Sequence, residues 1–255
     1  MILNKIMKYI EINNPKSDKI KQFHNILKEA FPDPFEREDL DILRYNISKG
    51  SWEDEGEICR YHMVLAVEND CVVGGVSFYF FRFSHKFYNA NTGIGMGSYL
   101  ATKREFQGNG IGSELISIRD NILKNDAKKF NSNIKGLVIQ VSDPGLMSPQ
   151  QIKHDTMNPW KREKLWKKLG YRKLDFNFIQ PSIREGEPPV DYLSLHLLPY
   201  CMEWCNKRNL SVEEMRNIIY CFVRCTRTIG PMKDDPAYVE MTREINHLTN
   251  IGEIT

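Results

Sequence analysis

The feature that most constrains the fold of this chain is a set of three glycines within five residues, just before a helical segment. Gly108, Gly110 and Gly112 stand in the stretch EFQGNGIGSEL, residues 105–115. Amides at a helix N-terminus are exposed and the helix dipole adds partial positive charge, so such a loop can hold phosphate oxygens. The pattern predicts a strand, a glycine loop and a helix that bind an anion, with a plain turn and helix cap as the alternative.

Two common phosphate loops do not fit these residues. A dinucleotide fingerprint would need a third glycine where Ser113 stands, and a P-loop would need a different spacing and a lysine. The stretch Gln107 to Gly112, QGNGIG, instead resembles the Q/R-x-x-G-x-G/A pyrophosphate loop of the GNAT acyltransferase superfamily. The longer stretch YLATKREFQGNGIGSEL resembles the strand, loop and helix of that superfamily, and KLWKKLGYRKL resembles its later F-Y-x-K-x-G-F signature.

The sequence before the glycine loop also predicts its elements. Pro15 and Ser17 open an amphipathic helix that runs to about Ala30, and a second helix is expected from about Glu36 to Ser48. The stretch SWEDEGE at 51–57 is expected to form an acidic loop, and the two β-rich runs joined at Asn69-Asp70 predict an antiparallel hairpin.

The order of the predicted elements over residues 1–199 also matches the GNAT topology. The resemblance implies an α/β fold with a mixed, mostly antiparallel sheet flanked by helices and splayed between the fourth strand (about 92–102) and the fifth (135–142). From about Tyr200 the sequence becomes helical. We therefore expect a GNAT-like acetyltransferase domain over residues 1–199 and a helical C-terminal extension over residues 200–255, which either covers the acceptor pocket or forms a dimer contact.

The resemblance also implies how acyl-CoA binds in the gap between the splayed strands. Main-chain groups of Leu100, Ala101 and Thr102 would bond the thioester carbonyl and the pantetheine arm like an added strand. The backbone amides of the loop would hold the pyrophosphate. The loop residues are Gln107, Gly108, Asn109, Gly110, Ile111, Gly112 and Ser113.

Transfer to an amine needs a group that accepts the amine proton and often an acid for the leaving thiolate. The acid of the superfamily is commonly the Tyr of the second signature, which is Trp166 here, and an indole N–H has no useful acidity. Asp143, at the end of the fifth strand, is the predicted base or amine-orienting carboxylate, and Tyr99 is the second catalytic candidate. The alternatives are that Asp143 and Pro144 only form a turn and that Tyr99 packs in the core.

The acceptor is expected to be an amine-bearing small molecule or peptide. Acidic residues between positions 36 and 57 would attract a polyamine, an aminosugar or a basic peptide end, unless they form only a solvated face. They are Glu36, Glu38, Asp39, Asp41, Glu53, Asp54, Glu55 and Glu57. The aromatic stretch at 78–88 could stack on nucleic-acid bases, but alternate rings of a strand are expected to lie in the core.

Composition argues against several other classes. A net charge of +2 gives no general attraction to nucleic acid or an anionic membrane, and no run of 18 apolar residues predicts a membrane span. Six cysteines without an export signal indicate a reducing compartment, by default the cytoplasm. The histidines, His62 and His85 among them, show no metal-ligand spacing, so no metal is expected.

Four C-terminal cysteines have a second interpretation. Cys201 and Cys205, and likewise Cys221 and Cys225, stand four residues apart, so a helical hairpin could bring four sulfurs to a zinc ion or into two disulfides. The alternative, favoured here, is that they are small apolar residues on buried helix faces.

These observations predict an N-acetyltransferase that moves an acetyl group from acetyl-CoA to a primary amine by direct attack. A homodimer formed through the C-terminal extension is a further candidate partner assembly. A non-catalytic acyl-CoA sensor or binding subunit is the main alternative, because Trp166 stands where the superfamily commonly has its acid tyrosine. A zinc-binding interaction protein is the third hypothesis.

Overall fold

The computed structural model describes residues 7–54, 57–83, 91–226, 234–247 and 251–253. An eight-stranded sheet dominates them, with the strand order β1-β3-β4-β5-β6-β8-β7 and β2 paired to β3. The strands are β1 (Lys8–Glu11), β2 (Ser51–Asp54), β3 (Glu57–Glu68), β4 (Cys71–Arg82), β5 (Thr92–Thr102), β6 (Asn133–Ser142), β7 (Arg172–Lys173), β8 (Leu193–Pro199), β9 (Asn209–Leu210) and β10 (Ile251–Glu253). The helices are α1 (Asp18–Ala30), α2 (Leu40–Lys49), α3 (Ile111–Lys129), α4 (Pro149–His154), α5 (Pro159–Lys168), α6 (Met202–Asn206), α7 (Val212–Thr226) and α8 (Pro236–His247).

The two longest strands of the sheet, β3 and β4, form a hairpin. Its turn places Asn69 at φ 50° and Asp70 at φ 63°, the left-handed conformations that a two-residue hairpin turn requires and that Asn and Asp tolerate. This confirms the hairpin predicted from the Asn-Asp pair. The sheet pairs are antiparallel except for β5 and β6, which are parallel. The mixed, mostly antiparallel sheet predicted from the sequence is therefore confirmed.

Helices cover both faces of the sheet, so each face has its own apolar layer. On one face α1, α2 and α7 pack against the sheet and α8 packs on α7, with Phe23, Leu43, Phe222 and Met241 fully or almost fully buried. On the other face α3 contributes Ile111, Leu115 and Leu123. The aromatic residues Phe78 to Phe81 lie within these two layers, as the sequence predicted.

Several elements begin or end at residues other than those predicted. The first helix starts as expected, since the Ser17 hydroxyl caps it at the Lys19 amide, 3.4 Å away. The second helix was expected from Glu36 but begins at Leu40, because Pro34–Glu36 forms a 3₁₀ turn and Asp39 is the N-cap. Helix α4 was not predicted. It begins with a capping box formed by Ser148 and Gln151.

The expectation that residues 51–57 form an acidic loop was wrong. Ser51–Asp54 is strand β2, which pairs antiparallel with the start of β3. Its Trp52 packs on Phe81 with ring centroids 6.3 Å apart. The packing of the partly buried Trp52 and the backbone pairing with β3 thus outweigh the polar character of the stretch.

The region after Tyr200 is mainly helical, with a small two-stranded sheet of β9 and β10 added to α6, α7 and α8. Trp204, Ile218 and Phe222 belong to the same apolar cluster as Phe23 of α1 and Leu195 of β8. The described part of this region therefore shares its core with the sheet. The division at residues 199 and 200 stays a prediction. None of the helices in the described residues is long and apolar enough to span a membrane.

Candidate active site

The sheet opens between β5 and β6, the two strands expected to diverge. Their parallel pairing ends at Met96 of β5 and Val138 of β6, while β5 stays paired with β4 as far as Thr102. A bulge at Ser98, between Gly97 and Tyr99, bends β5 at the point of divergence. The stretch with Leu100, Ala101 and Thr102 therefore has one edge bonded to β4 and the other facing the gap, which we call the fork. This geometry suits an extended ligand that bonds the main chain as an added strand.

The glycine loop lies between the end of β5 and α3. Gly108 and Gly110 have φ of +81°, a conformation that favours glycine, and Gly110 is the N-cap of α3. A Cβ added at Gly108, Gly110 or Gly112 would meet no atom within 4 Å. The amide of Glu114 makes the first helical bond, to the Gly110 carbonyl at 3.1 Å, so the amides of residues 111–113 precede the helical ladder. An open cradle with amides at a helix N-terminus fits a diphosphate.

A cavity of about 110 Å³ lies in the fork. Residues from both diverging strands, from the 31–38 segment, from α5 and from α7 line it. They are Phe31, Glu36, Glu38, Tyr79, Met96, Gly97, Ser98, Tyr99, Gln140, Val141, Ser142, Arg162, Trp166, Gln180, Ile183, Leu193 and Phe222. We call this the fork cavity.

Glu38 is the acidic residue most deeply placed in the fork cavity. It is 6% exposed, and burial raises the pKa of its carboxyl to about 7, partly offset by Asn46, whose Nδ2 lies 3.5 Å from Glu38 Oε1. The second carboxyl oxygen, Oε2, has no hydrogen-bond partner among the described residues. A carboxyl whose pKa is near neutral and that lines a cavity can accept a proton from an amine bound there.

Tyr99 belongs to the apolar core and also lines the fork cavity. Its hydroxyl accepts a hydrogen bond from the Glu38 amide at 2.8 Å and donates to the Glu36 carbonyl at 3.4 Å. Burial and the nearby Glu38 raise its pKa well above that of an ordinary tyrosine. Tyr99 therefore keeps its proton and positions the segment that carries Glu38.

Trp166 stands in the cavity wall where the superfamily commonly has its tyrosine. Its ring packs edge-on against Tyr171, with centroids 5.0 Å apart. The nearby Arg162 also lines the fork cavity. Its Nη1 donates to the Ser142 hydroxyl at 3.0 Å and its Nη2 pairs with Asp155.

Asp143 does not line the fork cavity. Its Oδ2 pairs with Lys173 Nζ at 2.6 Å, and its Oδ1 accepts a hydrogen bond from the Gly145 amide at 2.9 Å. These contacts are those of a turn, the alternative that the Asp-Pro pair left open. The role of Asp143 as the base stays a prediction, and the geometry favours Glu38.

The acidic residues predicted to form an acceptor wall do not lie together, and only two of those described line the fork cavity. Glu36 and Glu38 line the cavity, whereas Asp39 forms a bidentate pair with Arg184, with both distances 2.9 Å. Glu57 is buried and accepts a hydrogen bond from the Tyr220 hydroxyl at 2.7 Å. Asp41 and Glu53 are exposed. Glu55 and the Asp54 side chain lie outside the described residues.

A second and larger cavity, of about 610 Å³, shares Phe31, Glu36, Ser142 and Arg162 with the fork cavity. We call it the lateral cavity. Three carboxylates line it: Asp33, Glu36 and Asp155. Its size is within the range of sites for small molecules.

The histidine and cysteine candidates lie away from the fork cavity. His62 is buried between Glu11 and Asp126, and His85 lies outside the described residues. Cys201, Cys205 and Cys221 are free thiols, and the Cys225 side chain lies outside the described residues. Within the described part of the chain, no group of three or more His, Cys, Asp or Glu side chains is arranged for a metal ion.

The sequence did not single out Glu38, Arg162 or Gln140 for the site. Gln140 faces the fork from β6, and its Nε2 is buried without a partner among the described residues. A polar residue at position 140 within the apolar run LVIQV was the available signal. Glu38 gave no such signal, since it is one of many acidic residues in that region.

Fold and site together define a GNAT-type acyltransferase, and the comparisons with known proteins agree. Residues 20–127, a segment that includes the glycine loop, match the model of the acetyltransferase (GNAT) family. A comparison with curated proteins gave no significant match.

The comparison with solved structures gave matches of low sequence identity. A protein of the GNAT family from Bacteroides thetaiotaomicron is 16% identical, and the match covers 85% of this chain and 97% of that chain with a TM-score of 0.55. The ribosomal-protein-S18-alanine N-acetyltransferase from Escherichia coli is 12% identical, with coverages of 77% and 96% and a TM-score of 0.46. An aminoglycoside 6'-N-acetyltransferase complexed with coenzyme A is 15% identical, with coverages of 75% and 96% and a TM-score of 0.44.

Proposed function

We propose that this protein is an N-acetyltransferase that moves an acetyl group from acetyl-CoA to a primary amine by direct attack, with Glu38 as the general base. The observation that carries the proposal is the position of Glu38. A buried carboxyl with a pKa of about 7 lies in a cavity at the fork, where the open edge of β5 can hold an acyl chain.

Acetyl-CoA, when bound, supplies a thioester whose carbonyl carbon forms a bond to the amine nitrogen while its bond to sulfur breaks. Glu38 Oε2 accepts the proton that the amine nitrogen loses. Tyr99 holds the Glu38 amide, and main-chain groups of residues 100–102 align the donor. The amides of the 107–113 loop hold the diphosphate without charged side chains.

No side chain is proposed to protonate the leaving thiolate. Trp166 cannot supply a proton, and Tyr99 holds its own too tightly. A thiol is acidic enough to leave as a thiolate, with an ordinary pKa of about 8.5. The cytoplasmic location and a homodimer remain predictions from the sequence.

The test of the proposed donor site uses Gly112, where a side chain has open space and no backbone strain. Gly112→Asp places a carboxylate in the first turn of α3, which favours the helix by about 0.3–1 kcal/mol but repels a diphosphate. We expect the variant to be at least as thermally stable as wild type and to bind acetyl-CoA at least tenfold more weakly by calorimetry. Gly112→Ala is the matched control and should keep most of the affinity.

Thiol release from acetyl-CoA in the presence of a panel of primary amines then tests the activity itself. Equal affinity of the Gly112→Asp and Gly112→Ala variants for acetyl-CoA would show that the donor site lies elsewhere. Tight acetyl-CoA binding without thiol release for any amine would favour the second candidate, a non-catalytic acyl-CoA sensor, which Trp166 in the place of the tyrosine supports.

A further inference from the structure

The lateral cavity has the electrostatic properties of a site for a cation. Asp33, Glu36 and Asp155 supply three carboxyl groups and Arg162 one guanidinium, while Ser148, Gln150 and Gln151 are neutral. His154 lies at the exposed rim. With all three carboxyls ionised and His154 neutral, the cavity has a net charge of −2.

Asp155 is the residue that points to a ligand. Its side chain is only 8% exposed. Oδ1 pairs with Arg162 and accepts a hydrogen bond from the Met157 amide at 3.1 Å, but Oδ2 is buried without a hydrogen-bond partner among the described residues. A buried carboxylate oxygen without a partner costs free energy, and a donor placed in the cavity would recover it.

The Asp33 carboxylate is held in place by two hydrogen bonds, and Glu36 lies beside it. The Asp33 Oδ1 atom caps the Phe35 amide at 2.9 Å, and its Oδ2 accepts a hydrogen bond from the Tyr192 hydroxyl at 2.8 Å. Glu36 lines both cavities, so it lies where they join. A cation in the lateral cavity would therefore meet a preorganised set of oxygens.

The two cavities adjoin each other, since Phe31, Glu36, Ser142 and Arg162 line both. A flexible acceptor can therefore place one amine beside Glu38 in the fork cavity while another part of it lies in the lateral cavity. At about 610 Å³, the lateral cavity has room for an aliphatic chain and a further polar group.

We propose that the acceptor is a small aliphatic diamine or polyamine, whose reacting amine lies at Glu38 and whose second ammonium group binds Asp155 and Asp33 in the lateral cavity. This inference rests on the proposed N-acetyltransferase activity. It explains why a carboxylate set that Arg162 only partly neutralises adjoins the reaction site. An acceptor with a carboxylate would have to compete with Asp155 for Arg162 and would face Asp33 and Glu36.

The experiment compares three acceptors of equal chain length that differ only in the charge of the far end: 1,4-diaminobutane, 1-aminobutane and 4-aminobutanoate. Thiol release from acetyl-CoA by the wild-type protein gives kcat/KM for each. We expect kcat/KM for the diamine to exceed that for the monoamine at least tenfold, mainly because KM is lower. The excess over kcat/KM for the aminobutanoate should be larger still. Diaminopropane, diaminopentane and spermidine extend the series in length.

Asp155→Asn tests the contact directly. The ratio of kcat/KM for the diamine to that for the monoamine should fall at least fivefold, whereas Asp175→Asn, which changes an exposed carboxylate outside both cavities, should keep the wild-type ratio. Asp33→Asn is the second variant if Asp155→Asn does not fold.

A binding measurement needs neither turnover nor a variant. The tertiary diamine N,N,N′,N′-tetramethyl-1,4-butanediamine cannot form a neutral amide, and calorimetry in the presence of CoA should show it binding at least tenfold more tightly than N,N-dimethylbutylamine. Equal kcat/KM for the diamine and the monoamine, or a preference for 4-aminobutanoate, would overturn the diamine proposal and leave the acetyltransferase standing. No thiol release with any amine, together with tight binding of the tertiary diamine, would instead overturn the activity and keep the cation site.

Discussion

The chemistry of a carboxyl group depends on its surroundings, and Glu38 is the residue where this matters most for the proposed function. An exposed glutamate, with an ordinary pKa of about 4.3, is a weak base at neutral pH. Burial at the fork raises the pKa of Glu38 to about 7, which matches its basicity to the working pH. The same burial also makes the group costly to keep ionised.

The pH dependence of activity should follow the ionisation of Glu38. After correction for the neutral fraction of the acceptor, we expect kcat/KM to rise with pH up to a midpoint of about 7 and then level off, because Glu38 must be ionised to accept a proton. Glu38→Gln should lower kcat by about 10²–10⁴-fold and abolish this rise. Stopped-flow or steady-state thiol release between pH 5.5 and 9 measures both.

The control for this prediction is Asp143→Asn, which removes the base proposed from the sequence. If Asp143→Asn loses the pH-dependent rise while Glu38→Gln keeps it, the base is Asp143. The stability of Glu38→Gln gives an independent check. Because the folded pKa of Glu38 is raised, its carboxyl makes the protein progressively less stable as pH increases from about 4.5 to 7, so Glu38→Gln should be more stable than wild type at pH 8, by up to about 3 kcal/mol.

The site residues that could be predicted from the sequence are those whose role depends on their own backbone and near neighbours in the chain. Gly110 adopts φ +81° at the start of α3, so its identity as glycine follows from its own backbone. Glu38 could not be recognised in this way, because its burial results from Tyr99, Asn46 and the sheet, which come together only in the fold. Asp143 was attractive from its position at a strand end, but a turn and Lys173 occupy its oxygens.

Among the elements, the divergence of β5 and β6 was predicted and β2 was not. The divergence follows from a resemblance that covers the strand, the glycine loop and the helix. Strand β2 depends on its pairing with β3 and on the packing of Trp52. The Trp52 ring packs on Phe81, and the guanidinium of Arg224 lies over the Trp52 ring, 4.3 Å from its centroid. Those partners are distant in sequence, so the charged residues of SWEDEGE were a misleading local signal.

A buried ionic network joins three other elements. His62 of β3 lies 2.6 Å from Glu11 of β1 through Nδ1 and 2.7 Å from Asp126 of α3 through Nε2. Arg60 Nη1 pairs with the other oxygen of Asp126 at 2.5 Å. Since both partners of the imidazole are carboxylates, both ring nitrogens are suited to donate. Burial alone would lower the pKa of His62, but the hydrogen bonds to Asp126 and Glu11 outweigh it and raise the pKa.

This network should make stability depend on pH. A raised folded pKa means that the contribution of His62 is fully present below about pH 6.5, its unfolded pKa, and is lost as pH rises through the folded value. The free energies of urea unfolding of wild type and His62→Gln should therefore differ more at pH 5.5 than at pH 9. An equal difference at both pH values would contradict the protonated network.

In the molecule as a whole, segments distant in sequence close the site. The guanidinium of Arg184 binds Asp39 and also donates to the carbonyls of Pro34 and Arg37, which ties the 174–192 segment to the segment that carries Glu38. Phe222 of α7 contributes to the wall of the fork cavity. The C-terminal region therefore takes part in the proposed site, and the sequence could not decide this because it gives no long-range contacts.

Removal of residues 200–255 tests how far the rest of the chain is independent. Loss of Trp204, Ile218 and Phe222 would expose the cluster on one face of the sheet, and a single buried aromatic side chain is typically worth about 3–5 kcal/mol. We expect residues 1–199 alone to lack a cooperative thermal transition by circular dichroism and to bind a hydrophobic dye. A cooperative transition together with acetyl-CoA binding would establish residues 1–199 as an autonomous domain.

The early end of the pairing between β5 and β6 also bears on solubility. A strand edge with unsatisfied main-chain groups normally invites other chains to pair with it, and proteins usually guard such edges with lysines, prolines or bulges. Here the unpaired edge faces the gap between two diverging strands of one sheet, so another chain has to enter that gap to pair with it. An extended chain suits such a gap better than a folded surface does, so the divergence that frees the edge also limits what can pair with it.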